Sequence, residues 1–304
     1  MPRYGPRVHE GLCGASPVRV VDPIGHRRDM TTVQMPPTRT PGVRARAAAT
    51  LVAALAVTAA VAQVALHTRG GQDLDGRALH AVVVGRDSLA TLLSVLGRVS
   101  VFGVLALALV CAGLALARRS VLLALASVGL IAGANITTQL LKKVLLERTT
   151  YDWDLPNSLP SGHTTVVAAG VGALFLVLPP VLRPLLALAG AFAITFVGSS
   201  TVVAGWHRPS DVIAAFGVCL AWTALAGIVV DGRADRSGVR GAATLGAATV
   251  GALLATLVLV ALGARPVTGW DGVVPAVLVH GALAGAAAIT ITLMALVSPA
   301  RPSR

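Results

Sequence analysis

Residues 205–230 read GWHRPSDVIAAFGVCLAWTALAGIVV, and they decide the architecture. From Val212 to Val230 no side chain is charged, and a helix of that length crosses a bilayer's hydrocarbon core, which takes about 20 residues. A short polar head containing His207, Arg208, Ser210 and Asp211 stands directly before the run. Working outward from 210–230, similar apolar runs recur at 47–67, 98–117, 120–141, 164–182, 185–205, 241–262 and 274–297. The reading is therefore an all-α, polytopic transmembrane helix bundle of eight spans. Residues 69–97 are half polar, with Asp73, Asp75 and Asp87, and read as a loop containing one surface helix.

Composition leads the same way. A hydrophobic share of 55%, a mean hydropathy of +0.78 and a charged share of 12% exclude an ordinary soluble core. The net charge of +12 would suggest nucleic acid in a soluble protein. Here most arginines flank apolar spans and serve as topology determinants, so no nucleic-acid partner is expected. Cys13, Cys111 and Cys219 lack CxxC spacing and support neither a zinc site nor a disulfide framework.

Residues 1–46 are rich in Pro, Arg and Gly and carry eight arginines, the pattern of a disordered basic tail. The first apolar run begins near Ala47, too far in for a signal peptide, and Met30 or Met35 is an alternative start. With the N-terminus inside, the inside segments hold sixteen Lys and Arg and the outside segments nine, which orients the chain with a cytoplasmic N-terminus. Abundant Ala, Gly, Val and Leu suit close helix packing in lipid.

The unusual polar groups collect in two segments that this map places at one side of the membrane, 142–163 and 199–211. Lys142 and Lys143 are the only lysines, and both stand at the end of the third span, with Arg148 following. They read either as snorkelling interfacial anchors or as an anion cradle. Asn157-Ser158-Leu159-Pro160-Ser161-Gly162-His163 leads into the fourth span. A tight turn, a glycine that admits close backbone approach and a helix N-terminus suit a phosphate, and Ser161 reads either as a donor to it or as an N-cap. In Gly205-Trp206-His207-Arg208-Pro209-Ser210-Asp211, the carboxylate lies four residues after the imidazole, one helical turn away. That pair is either a structural cap or an oriented nucleophile or base. A metal site at His163, His207 and Asp211 has no HExxH or Cys/His spacing behind it.

Together these residues resemble the three signatures of the type 2 phosphatidic acid phosphatase superfamily, membrane relatives of bacterial acid phosphatases and vanadium haloperoxidases. The family pattern is Lys, six residues, Arg-Pro; then Pro-Ser-Gly-His; then Ser-Arg, five residues, His, three residues, Asp. The second is complete at Pro160–His163, and the third has His207 and Asp211 in place after Ser200. Lys142 stands one residue nearer to Arg148 than the pattern has it, Thr149 replaces the proline, and Thr201 replaces a phosphate-binding arginine. The resemblance spans about residues 98–230.

It implies a six-span phosphatase core at 47–230, with 241–297 as two additional transmembrane helices. His207 would attack phosphorus, Asp211 would hold its ring, and His163 would protonate the leaving oxygen. Lys142, Arg148, Ser161, Gly162 and Arg208, the last standing in for the missing arginine, would bind the phosphate, with no cofactor or metal. The expected substrate is a lipid phosphate or prenyl diphosphate, handled at the extracytoplasmic face of what the gene's Ala, Arg, Val and Gly bias suggests is a bacterial inner membrane. The alternatives are a phosphotransferase of the same core and a non-catalytic transporter or assembly protein. Membrane lipids are the other expected contact, and the residues do not specify an oligomeric state.

Overall fold

The computed structural model describes residues 42–97, 101–149, 151, 156–230, 232–233, 238–299 and 301–302. The disordered tail expected at 1–46 lies outside them up to residue 41, and its last residues are helical, because the first helix starts at Val43. Among the described residues there are ten α-helices: α1 Val43–His67, α2 Arg69–Leu79, α3 Arg86–Gly97, α4 Val101–Ala117, α5 Val121–Leu140, α6 Gly162–Val177, α7 Arg183–Val203, α8 Pro209–Val230, α9 Gly238–Ala261 and α10 Val273–Val297. Two two-residue ladders join loops, Val82–Val83 with Arg265–Pro266 and Gly232–Arg233 with Arg301–Pro302.

Each of the eight apolar runs corresponds to a helix. Helices α1, α5, α7, α8, α9 and α10 are long and apolar enough to cross a membrane, whereas α4 and α6 are shorter apolar helices. The run read as 164–182 stops at Val177, because Pro179 and Pro180 cannot continue the backbone ladder; a 3-10 turn, Pro180–Leu182, hands over to α7. Arg183, counted as a loop charge, is buried and donates from Nη2 to the carbonyls of Ser298 and Pro299 at 2.8 and 3.0 Å.

The segment 69–97 differs most from its reading. It forms two helices rather than a loop with one. Thr68 caps α2 by accepting the Gly71 N–H at 3.1 Å. α2 is largely polar, yet Gln72 and Asp75 are buried against the rest of the bundle. Gln72 donates to the carbonyls of Leu66 and Thr149, clamping α2 to the end of α1 and to the loop after α5.

Packing makes α8 the centre. It contacts α1, α5, α6 and α10, and 72% of its span is enclosed by protein, against 28% for α1. Small residues allow this. At Gly217 a β-carbon would overlap the Thr58 hydroxyl, so only glycine lets α1 and α8 approach this closely. Helices α9 and α10 pack on α7, and α10 also packs on α8. The Thr138 and Thr165 hydroxyls, 2.9 Å apart, join α5 to α6, and Trp222 Nε1 donates to Thr137 Oγ1, joining α8 to α5. The ends of α5 and α7 and the starts of α6 and α8 thus come together at one end of the bundle.

Candidate active site

The turn between α7 and α8 aims the His207 ring. Helix α7 ends in a Schellman motif: Gly205 takes φ +74°, its N–H bonds the Val202 carbonyl, and the Trp206 N–H bonds the Thr201 carbonyl. The His207 N–H reaches the same Thr201 carbonyl at 3.2 Å. Helix α8 then starts with Pro209 at its first position, where a missing N–H costs nothing. Asp211, in its first turn, reaches back to accept the Arg208 N–H at 2.9 Å.

The same oxygen, Asp211 Oδ2, accepts His207 Nδ1–H at 3.1 Å and the Ser158 hydroxyl at 2.6 Å. All three donors converge on an enclosed carboxylate. With Nδ1 committed as a donor, the neutral ring keeps its lone pair on Nε2. Ser158 also accepts from Arg208 Nη1 at 3.0 Å, so one hydroxyl links the carboxylate to the guanidinium. A further bond, Ser161 N–H to the Asp211 carbonyl at 2.9 Å, fastens the segment before α6 to the start of α8.

That segment is itself braced. Asn157 Oδ1 accepts the Leu159 N–H, and its Nδ2 donates to the carbonyls of Lys142 and Leu146. Ser161 is fully buried and caps α6: its Oγ accepts the Thr164 N–H at 3.4 Å and the Thr164 hydroxyl at 3.0 Å. Ser161 is thus the N-cap of α6. The Gly162 and His163 N–H groups, at the same helix start, bond no acceptor among the described residues.

His163 and Trp206 face each other with ring centroids 5.4 Å apart and planes tilted by 38°. The charges of His207 and Lys142 also reach the His163 ring. Both imidazoles therefore stand at one end of the bundle, in one electrostatic neighbourhood.

Three cations surround this neighbourhood. The π-helical turn Leu141–Leu145, which closes α5, carries both lysines but treats them differently. Lys142 is half-buried and interacts with Asp211, while Lys143 is exposed. Arg148 lies half-buried in the following loop; its Nη1 is 3.5 Å from the Ala65 carbonyl, and its buried Nε has no partner. Burial, and then the neighbouring Arg208 charge, lower its pKa from the ordinary arginine value. Among the described residues, no carboxylate forms an ion pair with Lys142, Arg148 or Arg208. Such a cluster of incompletely neutralised cations beside free helix N–H groups can hold a tetrahedral oxyanion.

Thr201 behaves differently from the family's arginine in kind as well as in charge. It is fully buried, and its Oγ1 donates back to the Gly198 carbonyl at 2.7 Å, so its side chain supplies no charge and its hydroxyl hydrogen is committed to its own helix. Arg208 is the cation nearest in sequence to His207 and the one bonded to Ser158.

Sequence reasoning assigned no role to Ser158, Trp206 or Asp75. Asp75, on α2, is buried and accepts both the N–H and the hydroxyl of Ser210, immediately before Asp211. Burial is the main cause that raises its carboxyl to about 6, with Asp211 adding to the effect and the Ser210 bonds opposing it. In the sequence it is one of several acids in a polar stretch.

Residues 120–234 match the model of the PAP2 superfamily. The match contains all three motifs and begins at Ser120, so α4, which the resemblance included, lies outside it, as do α1, α2 and α10. No curated protein and no solved structure matches the chain. The resemblance drawn from the motifs is thus borne out, and with the six span-length apolar helices it supports a multi-pass membrane protein of phosphatase type.

Proposed function

We propose that this chain is an integral membrane lipid phosphatase that hydrolyses a lipid phosphate or prenyl diphosphate at the extracytoplasmic face through a phosphohistidine. One observation carries the reading: a single Asp211 oxygen holds His207 Nδ1 and, through Ser158, the segment that delivers His163. An imidazole held in that way presents Nε2 as a nucleophile, and the second imidazole lies within electrostatic reach of it.

In the first step the Nε2 lone pair attacks phosphorus, the bond from phosphorus to the lipid or diphosphate oxygen breaks, and His163 supplies a proton to that oxygen. Asp211 stabilises the positive charge that develops on the His207 ring. Lys142, Arg148, Arg208 and the Gly162 N–H neutralise the equatorial oxygens, where positioning and charge provide most of the acceleration in phosphoryl transfer. In the second step, water gives up a proton to the now neutral His163 and attacks phosphorus; the P–N bond breaks and inorganic phosphate leaves. The lipid chains stay in apolar surroundings throughout.

The test is inorganic phosphate release from a panel of lipid phosphates by the purified protein, with His207→Ala and His163→Ala beside it. Loss of turnover in both variants, with the fold retained, supports the reading; unchanged turnover in His207→Ala removes it. Transfer of the phosphoryl group to an added alcohol, without phosphate release, would identify the phosphotransferase alternative instead. A cysteine at residue 150 that reacts with an impermeant thiol reagent in intact cells would support the orientation.

A further inference from the structure

Beside α8 the bundle carries a cavity of about 490 Å³, open along one side. Its walls come from α1, α2, α8 and α10, through residues such as Ala60, Leu74, Ile213 and Ala282, and are almost wholly aliphatic. One end is polar, and it is formed by Asp75 and Ser210, the hydrogen-bonded pair at the start of α8. Ser210 immediately precedes Asp211 in the first turn of α8, and Asp75 lies within electrostatic reach of Asp211 and Arg208, so this end of the cavity adjoins the candidate active site.

The cavity also has depth. At a rise of about 1.5 Å per residue, Ala60 lies roughly 10 Å back along α1 from its end, and Ala282 roughly 13 Å along α10 from its start. The apolar part therefore lies where a bilayer would be hydrocarbon, while the polar part lies at the headgroup level. Of its four walls only α8 falls within the matched residues 120–234. The other three lie outside the matched residues.

We propose that this cavity holds the hydrocarbon chain of the lipid phosphate whose headgroup is bound at His207. The inference rests on the phosphatase reading and deepens it, because it assigns a chain-binding site to α1, α2 and α10. The occupant follows from the arrangement: a polar end that adjoins the phosphate cradle and an aliphatic trough that leads away from it fit an amphiphile with its phosphate fixed at one end. Moving a chain from bilayer to cavity gains no hydrophobic free energy, since lipid tails are as apolar as the walls. The cavity acts through shape, placing the headgroup so that remote binding is used to orient the reacting phosphorus.

The test narrows the cavity without touching the active-site residues. Ala60 and Ala282 are exposed in the structure rather than packed in the core, so Ala60→Phe and Ala282→Phe fill the trough with little disturbance of packing, which thermal unfolding of the full chain in detergent checks. Phosphate release is measured with dipalmitoyl phosphatidic acid and farnesyl diphosphate, and with p-nitrophenyl phosphate, which has no chain. The expected result is a fall of about tenfold or more in kcat/KM for the chain-bearing substrates and none for the chainless one. Equal rates on all substrates, or an equal fall on all, overturn the proposal.

A second measurement uses phosphatidic acid with a diazirine near the end of its acyl chain. Labelling concentrated on α1 and α10 peptides, and lost in Ala282→Phe, supports the cavity even if the wild type releases no phosphate, in which case the phosphatase reading alone falls. Labelling spread evenly over the outward faces of α4 and α9 as well would mean that the trough holds bulk membrane lipid only, and would overturn it.

Discussion

Asp211 Oδ2 stands 3.1 Å from His207 Nδ1, one helical turn along α8, and the same oxygen takes the Arg208 N–H and the Ser158 hydroxyl. The carboxylate therefore orients the ring, caps the helix that carries it and anchors the neighbouring segment. Asp211→Asn keeps the shape but places an amide where a charge must stabilise the imidazolium. We expect a loss of about 10³- to 10⁴-fold in kcat, by analogy with the carboxylate of a serine-protease triad. Steady-state phosphate release checks this, and a loss below tenfold would mean that Asp211 is only a cap.

Ser158→Ala removes one hydroxyl from between Arg208 and Asp211. The guanidinium and the carboxylate lose a shared neutral partner, at about 1 kcal/mol in stability for a typical hydrogen bond. Activity should fall by about tenfold while His207→Ala activity, already lost, does not change further. Phosphate release by the single and double variants measures the coupling.

Thr201→Arg tests where the missing cation resides. The side chain at 201 is fully enclosed, so an arginine there has to displace its packed neighbours before its charge can find a partner. We expect a destabilisation of at least about 3 kcal/mol and no gain in affinity. Arg208→Ala, by contrast, should weaken phosphate binding by about 30-fold or more, through the loss of charge-assisted hydrogen bonds worth ~2–3 kcal/mol. Thermal unfolding and competition by inorganic phosphate distinguish the two variants.

Asp75 sets a pH dependence. Burial first, and then the Asp211 charge, raise its carboxyl from 3.8 to about 6, so the fold favours the protonated form. Its stabilising contribution is complete below pH 3.8 and is lost as pH rises through about 6, a change of about 3 kcal/mol. Asp75→Asn keeps a neutral group against Ser210 at every pH. Wild-type stability should therefore fall relative to the variant between pH 4 and pH 6 and stay level above about 7, as measured by unfolding in detergent. A constant difference across that range would place the carboxyl's pKa near its ordinary value.

Much of the bundle was legible in the residues. Eight apolar runs located eight helices, because in lipid every backbone group must be satisfied within its own segment and length alone selects helix. The break at Pro179-Pro180 was missed because both flanks are apolar and a run count does not register a backbone kink. α2 and α3 read as one element in the sequence because α2 is polar and glycine-rich; its helicity rests on the local Thr68 cap and on the burial of Gln72 and Asp75, which is a tertiary effect.

The site divides along the same line. Motif residues His163, His207 and Asp211 were found from local spacing, since an i, i+4 pair is a neighbour wherever a helix forms. Ser158 and Asp75 could not be found in that way, because each owes its place to a partner more than fifty residues away, Asp211 and Ser210 respectively. Lys142 and Lys143 are equivalent in the chain, and only the π turn closing α5 separates the half-buried one from the exposed one.

Sequence by itself determined the helices and the chemical types of the groups at their ends, because hydropathy and helical periodicity act over a few turns. The tertiary structure alone decided which cation faces the carboxylate, that Thr201 is fully enclosed, and that α1, α2 and α10 leave a trough beside α8. Those outcomes depend on how closely small residues such as Gly217 let distant helices approach, and no local pattern contains that information.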